Sequence, residues 1–360
     1  MQNSGIATEI YSLINNEEIR PTSNLVVSKC SAYDYLNNSN PNLEKLTTQY
    51  YETFAITGRF TGYFSNITIG DFYNNLSSKY CDSTAILGGL NSTAREQNSQ
   101  KSSESSGGSS SGGGSSSEGS SGGGDSSSGG SSSGSSSSGG GSNSSQTINQ
   151  NNSEQDSKNQ QDVITNPEDL VAGTSSIVGD RGTENFGIAV FNKDKLCGEL
   201  TAVESICHLL IQNEIDSCIV SIDNPVSKKE DEKMELQIFP RQDTKVNIDL
   251  KNDNPKITID LKLHADIMTL DENINYETNE VLTKISNATK DYLTTQFNDY
   301  LNKITKQYNV DIDQFCTKAP AHFLTISDWE SYNWEEKFKN TEFNVNIDLN
   351  VLSTMLVTKT

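Results

Sequence analysis

Apolar residues recur at two different periods along this chain. Ile257, Ile259, Leu261, Leu263, Ala265 and Ile267 fall at period two, with Thr258, Asp260, Lys262, His264 and Asp266 between them. That alternation predicts a half-buried strand, apolar inside and polar outside. Leu236 and Ile238, then Val246, Ile248 and Leu250, then Phe343, Val345, Ile347, Leu349 and Val351 repeat the pattern. Between these runs the period lengthens. From Glu277 to Tyr308, Val281, Ile285, Tyr292, Leu293, Phe297, Tyr300, Ile304 and Tyr308 share one helical face. Asn224-Pro225 marks the start of this part, so residues 223–360 are predicted to form an α+β domain of long strands and one long helix.

Upstream the elements are shorter. Ile6–Ile14 reads as a helix, 24–28 as a strand, and 32–36 and 43–54 as helices. Thr68 caps a helix over 69–76, with Asp71 at capping-box spacing. Leu170–Val178 reads as a strand. Phe186–Phe191 and Leu196–Leu200 flank the polar turn Asn192-Lys193-Asp194-Lys195, a hairpin signal. Phe186, Ile188 and Val190 take one face, Ala189 and Phe191 the other, so the first strand is expected to be central and covered on both faces. Thr201 and Glu204 have capping-box spacing ahead of Val203, Ile206, Cys207, Leu210 and Ile211, one face of a further helix. Cys218, Val220 and Ile222 alternate in another strand. The strands at 170–178, 186–191 and 196–200 are expected to form a meander.

Composition changes this picture at one place. From about Lys101 to Ser145 the chain is almost entirely Ser and Gly, which cannot bury enough apolar surface to offset its ordering entropy. Residues 101–162 are therefore expected to be a disordered insertion in a first folded unit made of 1–100 and 163–222. The expected class is α+β, with mixed or antiparallel sheets and packed helices in two folded units. The formal net charge of -21 argues against nucleic acid as a partner and against electrostatic adhesion to an anionic membrane. The six cysteines, Cys30, Cys81, Cys197, Cys207, Cys218 and Cys316, are scattered and form no CxxC pair. They read as buried structural thiols.

The candidate chemistry is thin. His208, His264 and His322 lack HxxxH or HExxH spacing, so no metal site is expected. No G-x-S-x-G elbow and no phosphate-binding glycine loop occurs. Asp311-x-Asp313, Asp223, Asp231 and Glu232 fit no calcium-loop template and read as solvated acidic surface. Neither cofactor nor catalytic residue is expected. Trp329 and Trp334, with Tyr332 and Phe338, pack a helix end against the sheet or form a candidate interaction patch.

The hairpin carries more information. Gly187, Ala189, Val190, Phe191, Asp194, Lys195, Leu196, Gly198, Glu199 and Leu200 spell GxAVFxxDKLxGEL. This block resembles the C-subunit family (Ger(x)C) of spore nutrient-germinant receptors. Arg20-Pro21 leading into Leu25–Lys29, Thr68–Tyr73, and the C-terminal Phe315, Trp329, Trp334 and Phe338 are similar to the family as well. The resemblance implies a non-enzymatic receptor subunit, lipid-anchored on the outer face of the spore inner membrane. It would act with two integral-membrane subunits, one of them transporter-like. Gly187, Phe191, Asp194, Lys195, Gly198 and Glu199 are then family-motif positions with a structural or contact role. Lys193 and Asp194 lie in the turn, where packing is expected to make no demand on them. The family's signal segment and acylated cysteine have no counterpart in the sequence, so the chain is expected to be truncated at its N-terminus and soluble as it stands. A generic surface interaction module with a Ser/Gly spacer is the alternative reading.

Overall fold

In a computed structural model of the chain the described residues are 5–39, 47–95, 170–175, 182–227, 229, 232–251, 254–269, 275–276 and 278–354. The expected Ser/Gly insertion lies outside them. The fold is α+β, with two four-stranded mixed sheets.

The first sheet runs β1 (Val26–Ser28), β2 (Ser83–Leu90), β3 (Thr183–Asn192), β4 (Lys195–Leu200) in that spatial order. β1 is parallel to β2, and the other pairs are antiparallel. β3 is central, as its two apolar faces require. Ala189 and Phe191 pack with Ile6, Ile10, Phe72 and Leu87 beneath helices α1 (Ala7–Ile14) and α4 (Ile69–Ser77). Ile188 and Val190 face the opposite way, into the main core. There they meet α5 (Ala202–Gln212), whose buried residues run almost all round it. A helix apolar on every side is a buried helix, and α5 touches both β3 and β6. The capping boxes at Thr68–Asp71 and Thr201–Glu204 are both formed. Helices α2 (Ala32–Asn37) and α3 (Thr47–Thr61) complete this part.

The second sheet has the order β5 (Cys218–Asp223), β6 (Lys233–Asp249), β7 (Lys256–Ile267), β8 (Glu342–Thr354). β7 and β8 are parallel across a long crossover. The crossover contains α6 (Asn279–Asn302), which buries Ile285, Thr289, Leu293, Phe297 and Tyr300. A π-helical turn, Lys303–Tyr308, follows. Three short helices, α7 (Phe315–Lys318), α8 (Ile326–Tyr332) and α9 (Trp334–Phe338), lead into β8. One core cluster contains residues of both sheets, from Ile188 and Leu200 to Leu261 and Phe338.

Several expectations change. Of the strand expected over 170–178, residues 170–175 form turn and coil and 176–178 lie outside the described residues. The neighbour of β3 is β2, buried at all eight positions, which gave no alternation to read. β5 pairs with β6, so the change of sheet falls before Cys218 and not after Ile222. The two runs at 236–238 and 246–250 are one strand of 17 residues, irregular around Pro240 to Lys245. The helix expected over 277–308 becomes π-helical at Lys303. Cys81 and Cys316 form a disulfide, because the fold brings two segments 235 residues apart to a Cα separation of 6.1 Å. Cys207 and Cys218 are buried thiols, with burial pushing Cys218 up to about 12.

Candidate functional site

The hairpin turn is the entry to a polar joint. Lys193 closes the turn with φ 55°. Its N–H donates to Asp82 Oδ1 at 3.1 Å, and its Nζ donates to the carbonyls of Lys79 at 2.8 Å and Cys81 at 3.3 Å. Nζ also stands 3.6 Å from Asp82 Oδ1. Asp82 has a second partner, since its Oδ2 accepts the N–H of Asp311 at 3.0 Å. Burial raises the Asp82 carboxyl above the usual carboxylate range, against the lowering pull of Lys193.

Asp311 continues the network inward. Its carboxylate accepts the N–H groups of Phe315 and Cys316, at 3.0 and 2.7 Å, at the start of α7, and the indole N–H of Trp334 at 3.0 Å. Full burial nevertheless pushes it up to about 7. Two residues on, Asp313 accepts from His208 Nδ1 at 2.7 Å and from the Tyr300 hydroxyl at 2.9 Å. Burial, reinforced by the Asp313 charge, drives the Tyr300 phenol well above its ordinary value. The solvated-surface reading of Asp311 and Asp313 is therefore wrong: they are 2 % and 3 % exposed. Each has donors from distant parts of the chain, which local spacing cannot show.

Asp313, His208 and Tyr300 resemble a catalytic relay only on paper. His208 is 3 % exposed, and its Nδ1, the Tyr300 hydroxyl and the Asp313 carboxylate are hydrogen-bonded to one another. Among the described residues no cluster of His, Cys, Asp and Glu could hold a metal ion.

The motif positions are held along the hairpin by other contacts. Gly187 has φ +83°, and a Cβ there would stand 2.2 Å from the Leu200 carbonyl oxygen. Phe191 is fully buried, edge-on to Phe72 at 5.1 Å. The Asp194 carbonyl accepts the N–H of Ile6 at 2.9 Å, and its carboxylate occupies space left by the missing side chain of Gly5. Gly198 lies under the ring of Tyr308, whose hydroxyl donates to the Glu199 carbonyl at 3.2 Å. The Glu199 carboxylate pairs with Lys29 at 2.6 Å. Lys195 is exposed. Trp334 is fully buried and Trp329 is 6 % exposed, stacked on Tyr332 and tilted against Phe323. The interaction-patch reading of this pair fails on that burial. Sequence reasoning also missed Asp82, the bonds that Lys193 and Tyr300 make, and the half-buried Glu204–Lys303 ion pair at 2.7 Å. For Glu204 the only local signal was its capping box.

Comparison with known proteins places this geometry. Residues 1–88 match the family model for the spore germination protein N-terminal domain, and residues 186–355 match that for spore germination B3/GerAC like, C-terminal. The chain belongs to the GerAC-like family of spore germination proteins. Among solved structures, one described as the crystal structure of the GerBC protein superposes with a TM-score of 0.56. It is 13% identical over 98% of this chain and 76% of that chain, a likeness of fold. No curated protein matches. As a GerAC-like protein the chain is a germinant-receptor C subunit acting in spore germination. No helix among its described residues is long and apolar enough to cross a membrane.

Proposed function

We propose that this GerAC-like chain is a non-enzymatic subunit that supports germination through protein–protein contacts with the two integral-membrane subunits of a nutrient-germinant receptor, at the outer face of the spore inner membrane. The carrying observation is the closure of its polar core. Asp82, Asp311, Asp313, His208 and Tyr300 are all buried or nearly so, and their hydrogen bonds run to one another and to nearby backbone. The turn residue Lys193 ties the motif hairpin to Asp82 at one end of that network, and the outer surfaces remain for partners. This closure suits an assembly component, because the polar side chains of the network are taken up by one another and by backbone.

The test is co-purification from spore inner membranes of a lipidated, tagged form, with germination scored in the same spores. The expected result is recovery of both membrane subunits, and loss of the nutrient response without loss of those subunits' genes when this chain is deleted. Normal nutrient germination in the deletion, or purification without either subunit, overturns the reading.

A further inference from the structure

Two cavities meet at the π-helical turn Lys303–Tyr308. Such turns are rare and collect at functional sites. The polar side chains of this one differ in how they are held. Lys303 Nζ donates to both carboxylate oxygens of Glu204, at 2.9 and 2.7 Å. The Thr305 hydroxyl donates to the Leu301 carbonyl at 2.6 Å, and the Tyr308 hydroxyl to the Glu199 carbonyl at 3.2 Å. Lys306 is exposed, and its ammonium has neither ion pair nor hydrogen bond among the described residues. With Asn302 it lines both cavities.

The cavities differ in their other walls. The larger, of about 460 Å³, adds Glu204 and Lys303, which hold each other, and Asp299, which has no ion pair among the described residues. An unpaired acid there disfavours an anion. The smaller, of about 370 Å³, lies between the end of α6 and the start of β8, and adds Asn298, Leu301, Thr341 and Phe343. Glu342 is in its lining too, beside Lys256, its register partner on β7. Lys306 is the charge left over. Thr341 decides between the two cavities. It is 6 % exposed, and its hydroxyl has no partner among the described residues. Its backbone is held on both sides, since the Thr341 N–H donates to the Phe338 carbonyl at 3.0 Å and the Glu342 N–H to the Pro255 carbonyl at 2.9 Å. Buried polar groups are nearly always paired, and an exception in the wall of a cavity points to something that enters it.

We propose that the smaller cavity binds a small hydroxylated carboxylate, of the sugar-acid or hydroxy-acid class. The Lys306 ammonium takes the carboxylate. The amides of Asn298 and Asn302 and the Thr341 hydroxyl can each donate and accept, which suits alcohol groups and not a second charge. Leu301 and Phe343 supply apolar surface for the C–H groups of such a ligand. The cavity volume falls within the roughly 300–1,000 Å³ of small-molecule sites. The net charge of -21 opposes an anion at long range, but at physiological salt exposed charges are largely screened beyond about 8 Å. A bound ligand would tie the end of α6 to the start of β8. The inference goes beyond the receptor reading and does not depend on it.

Calorimetric titration of the full chain with gluconate tests the site. Gluconate should bind saturably, one per chain. Sorbitol, with an alcohol in place of the carboxylate, and hexanoate, without the hydroxyls, should each bind at least tenfold more weakly. Lys306→Gln should weaken gluconate at least tenfold. Thr341→Val should weaken it roughly threefold to tenfold, the loss of one hydrogen bond. Lys318→Gln, which lines neither cavity, should leave the affinity unchanged. The Lys306 ammonium has no partner to lose, so the charge test stands even if Thr341→Val does not fold. Absence of saturable binding, or an unchanged affinity in Lys306→Gln, would overturn the proposal. Equal affinity for hexanoate, or displacement of gluconate by an equal concentration of chloride, would overturn it in favour of plain ion pairing at a surface lysine.

Discussion

Asp82 and Asp311 hold each other by two hydrogen bonds across 229 residues of sequence. The Asp82 N–H donates to the Asp311 carbonyl at 3.2 Å, and the Asp82 carboxylate accepts the Asp311 N–H at 3.0 Å. The first joins the segment before β2 to the segment before α7, and the second adds a side chain that also holds the hairpin turn. Asp82→Ala strands the N–H groups of Lys193 and Asp311. With about 1–3 kcal/mol for each donor left without a partner, the variant should lose roughly 2–6 kcal/mol. Urea unfolding measures this, and a loss below about 0.5 kcal/mol would show that the joint is not structural.

The Cys81–Cys316 bond lies beside that joint and closes a loop with a separation of 235 residues. Cross-linking so long a loop restricts the unfolded chain, an effect typically worth about 2–4 kcal/mol. Thiol titration of the denatured, unreduced chain should find four free thiols, Cys30, Cys197, Cys207 and Cys218. Dithiothreitol should lower the melting temperature of the wild type and leave that of the Cys81→Ser, Cys316→Ser double variant unchanged. Six thiols in the unreduced chain would contradict the pairing.

Asp311 makes stability depend on pH with an uncommon sign. Its folded value, about 7, lies above the ordinary 3.8. Between these two values the folded chain keeps a proton that the unfolded chain has lost. The stabilisation is full below the ordinary value and is lost as pH rises to about 7, with a slope of up to ~1.4 kcal/mol per pH unit. Asp82, also raised, adds a contribution of the same sign. Asp311→Asn lowers stability at every pH, because its amide meets N–H donors, but it removes this titration. Denaturant midpoints from pH 5 to 7 should therefore fall less steeply in the variant. Parallel slopes for the two proteins would dismiss the assignment.

Local signals were legible in the sequence, and long-range ones were not. The hairpin, the two capping boxes and the strand at 257–267 each rest on residues within a few positions of one another, and all formed. β2 was missed because Ser-Thr-Ala-Ile-Leu-Gly-Gly-Leu is covered on both faces, which erases alternation. Asp311 and Asp313 looked like surface because their donors come from Trp334, His208 and Tyr300, which only folding assembles. The parallel pairing of β7 with β8 across the long crossover is a matter of sheet order, which no single strand encodes.

The two motif glycines should differ in cost. At Gly187 an added Cβ meets backbone, the Leu200 carbonyl oxygen, and φ is +83°. Gly198→Ala instead meets the ring of Tyr308, at 2.2 Å from Cζ, and the ring can swing away. Gly187→Ala should cost the more, about 2–4 kcal/mol from strain and close approach together. Gly198→Ala should couple to Tyr308. In a Tyr308→Ala background it should cost roughly 0.5 kcal/mol or less, and a double-mutant cycle reads the difference. Additive effects at 198 and 308 would mean that the ring and the glycine do not share that space.

Lys193 and Lys195 provide the sharpest internal comparison, since both are lysines of one turn and only one is tied down. The expectation that packing makes no demand on the turn fails at Lys193. Its N–H and Nζ together reach Asp82, Lys79 and Cys81. Lys193→Ala removes the two ammonium bonds and the one cation facing the buried Asp82 carboxyl. It also keeps a side chain at φ 55°, so no backbone strain is relieved. The loss should be about 1–3 kcal/mol, and it should grow with pH, because Asp82 then ionises without its partner. Lys195→Ala removes an exposed ammonium and should stay within about 0.5 kcal/mol of wild type. Unfolding of both variants at pH 5 and pH 8 separates the cases. Equal, small effects at the two lysines would show that the turn contributes nothing to the joint, and that packing makes no demand on Lys193 after all.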